Sequence, residues 1–189
     1  MKGKRWTSWT IAVALALVMG GWWVGVGLLP AVAQEKSSPR ETVVVGTHTV
    51  YPKTPNAMTV SLRIGPARDM HMPHSGLWVK MGPLAGEQYH FEVSAQDPAT
   101  GRGIFYSRVR VRAININSKK GVDLELHPMW GPDGLHYGAN AFLPGDGEYA
   151  IVVTVDPPTF AREAPAFQFM WQAKAEFSVE VEGRHVIPR

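Results

Sequence analysis

The chain has 189 residues and no cysteine. A disulfide-stapled fold is therefore excluded, and so is a cysteine nucleophile. A blue-copper centre is disfavoured, because its thiolate ligand has no source here. Net charge is also missing once the N-terminus is set aside: without Lys2, Lys4 and Arg5, the 19 basic residues fall to 16, equal to the 16 acidic ones. The apparent basicity belongs to the first few residues and gives no reason to expect nucleic-acid binding. Beyond position 33 no long segment carries helical periodicity, and no internal repeat or low-complexity tract is present. The chain also lacks a Gly-x-Ser-x-Gly elbow, a phosphate-cradling glycine loop and a His-Glu-x-x-His zinc helix, and its carboxylates are scattered rather than paired. The sequence is read as that of a non-enzyme.

The N-terminus holds three basic residues, an apolar stretch over 9–29 and Ala31-Val32-Ala33 before Gln34. This is the pattern of an export signal with an A-x-A cleavage site; an uncleaved membrane anchor is the alternative for residues 1–33. Membrane contact is expected only through that segment. Residues 34–41 are polar with a proline and read as a linker. Residues 42–189 are long enough for one domain with its own core.

Within that domain the hydrophobic period is two. In Ser107-Arg108-Val109-Arg110-Val111-Arg112 the arginines fall on one face and the valines on the other, as in a half-buried strand. Strands are expected over 42–50, 57–64, 88–95, 104–113, 122–127, 135–142, 148–155 and 169–181. Eight short strands broken by Pro, Gly, Asn and Asp predict an all-β antiparallel sandwich. The long alternating strand over 104–113 also reads as an exposed edge open to a partner.

Chemistry concentrates in two places. Met129 and His136 are seven residues apart across Gly131, Pro132 and Gly134, turn formers that reverse the chain and aim both side chains at one point. A thioether with an imidazole suits copper better than magnesium or calcium. The second place is Arg68-Asp69-Met70-His71-Met72-Pro73-His74, where an extended backbone puts Met70 and Met72 on one face and His71 on the other. Methionines also fill irregular core gaps, so these two read equally as packing residues. His127 shares the strand face of Met129, as a further ligand or a group orienting His136. Asp133 either fixes the His136 tautomer or caps the turn. His90, in Tyr89-His90-Phe91-Glu92-Val93, reads as half-buried and structural, and His48 and His185 as solvated.

The run Asp133-Gly134-Leu135-His136-Tyr137-Gly138-Ala139-Asn140, followed by Gly147-Glu148-Tyr149 and Val155-Asp156-Pro157-Pro158, resembles the bacterial periplasmic ferrous-iron transport protein family. The resemblance is closest over 122–158 and collinear over 43–181. It implies an immunoglobulin-like sandwich that binds copper or a similar divalent metal, forms a homodimer with the metal near the subunit boundary, and assists an inner-membrane iron permease. It also implies that the stretch ending at Pro73 supplies ligands opposite Met129 and His136, with Met70 in place of a histidine and Met72 in place of a glutamate. The expected metal site is thus Met70, Met72, Met129 and His136. Three thioethers and one imidazole favour Cu(I), with iron or another divalent metal as the remaining candidates. A family histidine after the double proline is missing, and Glu163 in that region is a candidate oxygen donor. Two readings stand beside iron uptake: a periplasmic Cu(I) chaperone, and a structural subunit of an envelope complex.

Overall fold

The computed structural model describes residues 41–50, 57–98, 100–132, 134–160, 172–183 and 185–189. The expected signal or anchor segment lies outside these, as do Asp133, Glu163 and the first part of the strand expected over 169–181. Among the described residues there is no helix, and eleven strands run β1 (Val43–Val50), β2 (Met58–Pro66), β3 (Met70–His74), β4 (Leu77–Met81), β5 (Tyr89–Gln96), β6 (Val109–Asn115), β7 (Gly121–Gly131), β8 (Gly134–Ala141), β9 (Gly147–Val155), β10 (Ala173–Glu182) and β11 (His185–Pro188).

Nine strands hydrogen bond in the order β1-β2-β5-β8-β7-β6-β9-β10-β11, all antiparallel. They fold into two layers that share β7: its first half, through Leu126, pairs with β6, and its second half, from His127, pairs with β8. The expected all-β sandwich is formed, closed through β7 toward a barrel. Pro128 is tolerated because the second half of β7 pairs on one side only, so its missing N–H breaks no ladder bond.

Strict alternation builds the interior. Val60, Leu62 and Ile64 of β2, Phe91 and Val93 of β5, Val109 and Val111 of β6, Ile151 and Val153 of β9 and Val179 of β10 are buried in one cluster between the layers. Each such side chain contributes roughly 1.5–3 kcal/mol relative to exposure. The Arg108, Arg110 and Arg112 face is exposed, as the alternation predicts. Tyr149 donates to the Gly145 carbonyl at 2.7 Å, four residues upstream, the device of the immunoglobulin tyrosine corner.

Three expectations are corrected. The strand expected over 104–113 begins only at Val109, because Ile104 is buried as an anchor whose carbonyl accepts from the Tyr137 hydroxyl at 3.2 Å. That strand is also no edge: β6 lies between β7 and β9, so it offers no partner surface. Finally, β3 and β4 form their own two-stranded ribbon, joined by a turn with Ser75 at φ 49° and Gly76 at φ 79°, the type I′ geometry of a two-residue hairpin loop.

Candidate metal centre

Strand β5 is buried on both faces. Tyr89, Phe91, Val93 and Ala95 point to the apolar core, so by the period of two His90 and Glu92 point to the outward face of the layer. Register carries that face across the sheet: His90 lies opposite Asn140, Glu92 opposite Gly138, and Gly138 in turn opposite His127 of β7. Met129 is directly opposite His136, across the tight β7–β8 reversal in which Gly134 takes φ 90°. Thioether and imidazole therefore share one face at the closest cross-strand spacing.

Polar side chains converge here under cover. His90 is fully buried, Glu92 and Asn140 nearly so, and His136 is 9% exposed. Donor atoms of His90, Glu92 and His136 lie within 4.8 Å of one another. Gly138 makes room for them: a Cβ there would lie 2.8 Å from His90 Nε2 and 2.8 Å from Met129 Sδ. Its backbone is ordinary, so the absence of a side chain, not conformational freedom, is what the site uses. The same clearance shows that the Met129 sulfur and the His90 ring nitrogen point into one space.

Hydrogen bonding fixes both imidazoles in the same tautomer. The His136 Nδ1 faces the Gly134 carbonyl at 3.1 Å, and a carbonyl only accepts, so Nδ1 donates and Nε2 keeps its lone pair. Asn140 donates through Nδ2 to the Arg68 carbonyl at 2.8 Å and accepts through Oδ1 from the Arg68 amide at 3.2 Å. That oxygen also faces His90 Nδ1 at 2.8 Å, which makes Nδ1 the donor and leaves Nε2 basic. Both Nε2 atoms are buried and have no hydrogen-bond partner among the described residues. Leaving such an atom unmet costs about 1–3 kcal/mol, and two in one pocket point to an electrophile that belongs between them. Burial, with help from Arg68 and His136, lowers the His90 pKa against the pull of Asn140 and Glu92, so the ring is neutral and ready to ligate near neutral pH.

Glu92 is shared. Its Oε1 is 2.7 Å from Arg68 Nη2 and 4.0 Å from His90 Nε2, while Oε2 is 3.6 Å from Arg63 Nη1. One carboxylate thus stands between two guanidiniums and the pocket. The donor set, two imidazole nitrogens, a thioether and a partly neutralised carboxylate, fits a soft or borderline ion.

Of the residues expected from sequence, Met129 and His136 come together. Met70 and Met72, both half-buried, stand on the β3–β4 ribbon, opposite Met81 and Val79, and the ribbon is not hydrogen bonded to the main sheet. His71 and His74 are exposed on that ribbon. His127 is exposed and does not orient His136, whose Nδ1 is held by Gly134. His90, expected to be half-buried, is completely buried, and its Nε2 has no hydrogen-bond partner among the described residues. Glu92 was missed altogether. The available signal was the spacing of two donors, i and i+2, inside an otherwise apolar strand. A cleft of about 550 Å³ on the other layer is lined by Arg110, Arg112, Asp123 and Glu125. Pairs such as Arg110–Asp156 and Arg112–Asp123 make it a solvated ionic face.

Fold and site together define a class: an antiparallel β-sandwich that carries, on the outward face of one layer, a buried pocket of nitrogen, sulfur and oxygen donors. Residues 89–179 match the sequence profile of the Fe2+ transport protein family. Among solved structures it resembles FetP of uropathogenic Escherichia coli strain F11, recombinantly expressed in the periplasm, with 21% identity, 76% of this chain and 98% of that chain covered, and a TM-score of 0.59. A copper-bound variant of FetP aligns with a TM-score of 0.60 at 20% identity over 76% of this chain and 99% of its own. The copper-reconstituted P19 protein of Campylobacter jejuni gives 0.57 at 19% identity, covering 78% and 99%. Comparison with curated protein sequences gives no match.

Proposed function

We propose that the chain is a periplasmic copper-binding protein that assists high-affinity Fe2+ uptake by an inner-membrane permease and works as a homodimer. The centre is the pocket of β5, β7 and β8. Met129 Sδ, His136 Nε2 and His90 Nε2 are its donors, and Glu92 is an oxygen donor held in balance between the ion and Arg68. The observation that carries this reading is the pair of buried imidazole nitrogens with free lone pairs and no hydrogen-bond partner among the described residues. Copper in the FetP and P19 structures, and the family's role in Fe2+ transport, support the choice of metal and of process. Charge supports Cu(I) in particular: Glu92 already faces Arg68 and Arg63, which leaves little negative charge for a divalent ion. Trp78 and Trp130, 73% and 77% exposed, are apolar surface that a second subunit would cover.

Loading the full chain with Cu(I), Cu(II), Mn(II) or Fe(II), desalting and quantifying tests the centre. Cu(I) is retained, and a Met129→Ala, His136→Ala variant holds one equivalent less. Equal retention by that variant contradicts the assignment. Light scattering at micromolar concentration tests the dimer, and a monomeric mass with metal present counts against it.

A further inference from the structure

We propose that the β3–β4 ribbon carries a second, separate Cu(I) site made of three thioethers, those of Met70, Met72 and Met81. The ribbon register places Met70 directly opposite Met81 and Met72 opposite Val79. Directly opposed side chains share a face with Cβ atoms about 4.5–5.5 Å apart, and the diagonal pair Met72 and Met81 lies at roughly 7–8 Å. Each methionine has three rotatable side-chain bonds, enough to bring three sulfurs from this triangle around one ion. His74 sits on the same face at the turn end, two positions beyond Met72. His71, Pro73, Trp78 and Lys80 form the other face.

The ribbon is held in shape at both ends. The Ser75–Gly76 turn fixes the register at the tip. At the open end Lys80 pairs with Asp69 at 2.7 Å, and Arg68, one residue earlier, is tied by its backbone to Asn140 and by its side chain to Glu92. Exposure suits an acquisition site: Met81 is 49% exposed, while Met70 and Met72 are half-buried. No strand residue on that face is a carboxylate, so the site is neutral and all its sulfur donors are soft. Such a set holds Cu(I) or Ag(I) and rejects Fe(II) and Mn(II), which want oxygen and charge. Met81 is invisible to a reading of 68–74 alone, because only the hairpin brings it opposite Met70.

This site is independent of the β5–β8 pocket, and the experiment separates the two. The full chain is titrated with Cu(I) against bicinchoninate, and in parallel with Ag(I), reading stoichiometry and the ligand shell by X-ray absorption. Wild type is compared with a Met70→Leu, Met72→Leu, Met81→Leu variant and with the Met129→Ala, His136→Ala variant. Leucine replaces methionine at nearly constant volume, so the ribbon variant keeps its fold, which circular dichroism verifies. Two equivalents of Cu(I) are expected in wild type. The ribbon variant loses one, bound by sulfur alone, and the pocket variant keeps that one and loses the nitrogen-bearing equivalent. Full stoichiometry in the ribbon variant overturns the proposal. So does a single equivalent lost equally by both variants, which would put all the methionines in one shared centre. A pocket variant indistinguishable from wild type, beside a ribbon variant that loses its equivalent, would sink the pocket assignment and leave the ribbon site standing.

Discussion

The two faces of strands β5 and β8 are made by the same backbone and are both buried, yet they are opposite in kind. On the inward face Tyr89, Phe91, Val93, Tyr137 and Ala141 meet other hydrocarbon across the sandwich. On the outward face His90, Glu92, His136 and Asn140 are nearly as hidden, and two of their nitrogens have no hydrogen-bond partner among the described residues. The inward face is explained by folding alone. The outward face opposes folding by leaving polar atoms unmet, and a protein keeps such a pocket where a ligand offsets the cost. Burial by itself therefore says little about role; burial without partners says much.

The inward face is the first to perturb. Phe91→Ala is expected to destabilise by about 3–5 kcal/mol, read from thermal or urea unfolding, while the folded fraction keeps its Cu(I) affinity within a few-fold. Collapse of affinity in the folded fraction would mean that the two faces are not separable. On the outward side, Cu(I) at roughly 100 times its dissociation constant is expected to raise stability by about 2.7 kcal/mol, reversed by a chelator. His90→Leu, made in the Met70→Leu, Met72→Leu, Met81→Leu background so that only the pocket is read, should nearly abolish that increment, with little loss of apo stability from the Nε2 atom it removes.

Asn140→Ala addresses the support rather than the donors. It removes the group that orients His90 and pins the Arg68 backbone, and should cost about 1–2 kcal/mol of stability and roughly 10–100-fold in metal affinity. Unchanged affinity would show that His90 needs no orienting partner. The smallest effect is with pH. Burial lowers the His90 pKa below its ordinary 6.5, so the unfolded chain takes up the proton first as pH falls. The contribution of neutral His90 to apo stability is complete above about pH 6.5 and declines below it, until the lowered folded-state pKa is reached. Urea midpoints across that range should fall with pH in wild type and less steeply in His90→Leu.

Much of the fold was legible because alternation is strong where one face is solvated: Val109 to Arg112 reads as a strand and is one. Legibility failed where the pattern depends on a cover that sequence does not show. Tyr89 to Val93 alternates polar and apolar and so predicts a wet outward face, but Arg68 and its neighbours close over it and bury His90 and Glu92. Strand β4 escaped notice because Leu77 to Met81 is exposed throughout and has no buried stripe. Strand β7 was expected to end at His127, yet pairs onward to Gly131 once it changes layer. The Met129 and His136 juxtaposition was readable because the two glycines and a proline between them dictate a tight reversal. His90 and Glu92 were marked only by their i and i+2 spacing, because their neighbour Gly138 lies on a strand that only the topology brings alongside.

The proposed pocket stands or falls on His90, a residue of β5, as a ligand in company with His136 and Met129. Competitive Cu(I) titration of the full chain, wild type against His90→Leu, with folding verified by circular dichroism, tests it most directly. The pocket equivalent is expected to weaken by at least about 100-fold, beyond what loss of a merely supporting group produces. Wild-type affinity in a folded His90→Leu protein would contradict it and return His90 to the structural core.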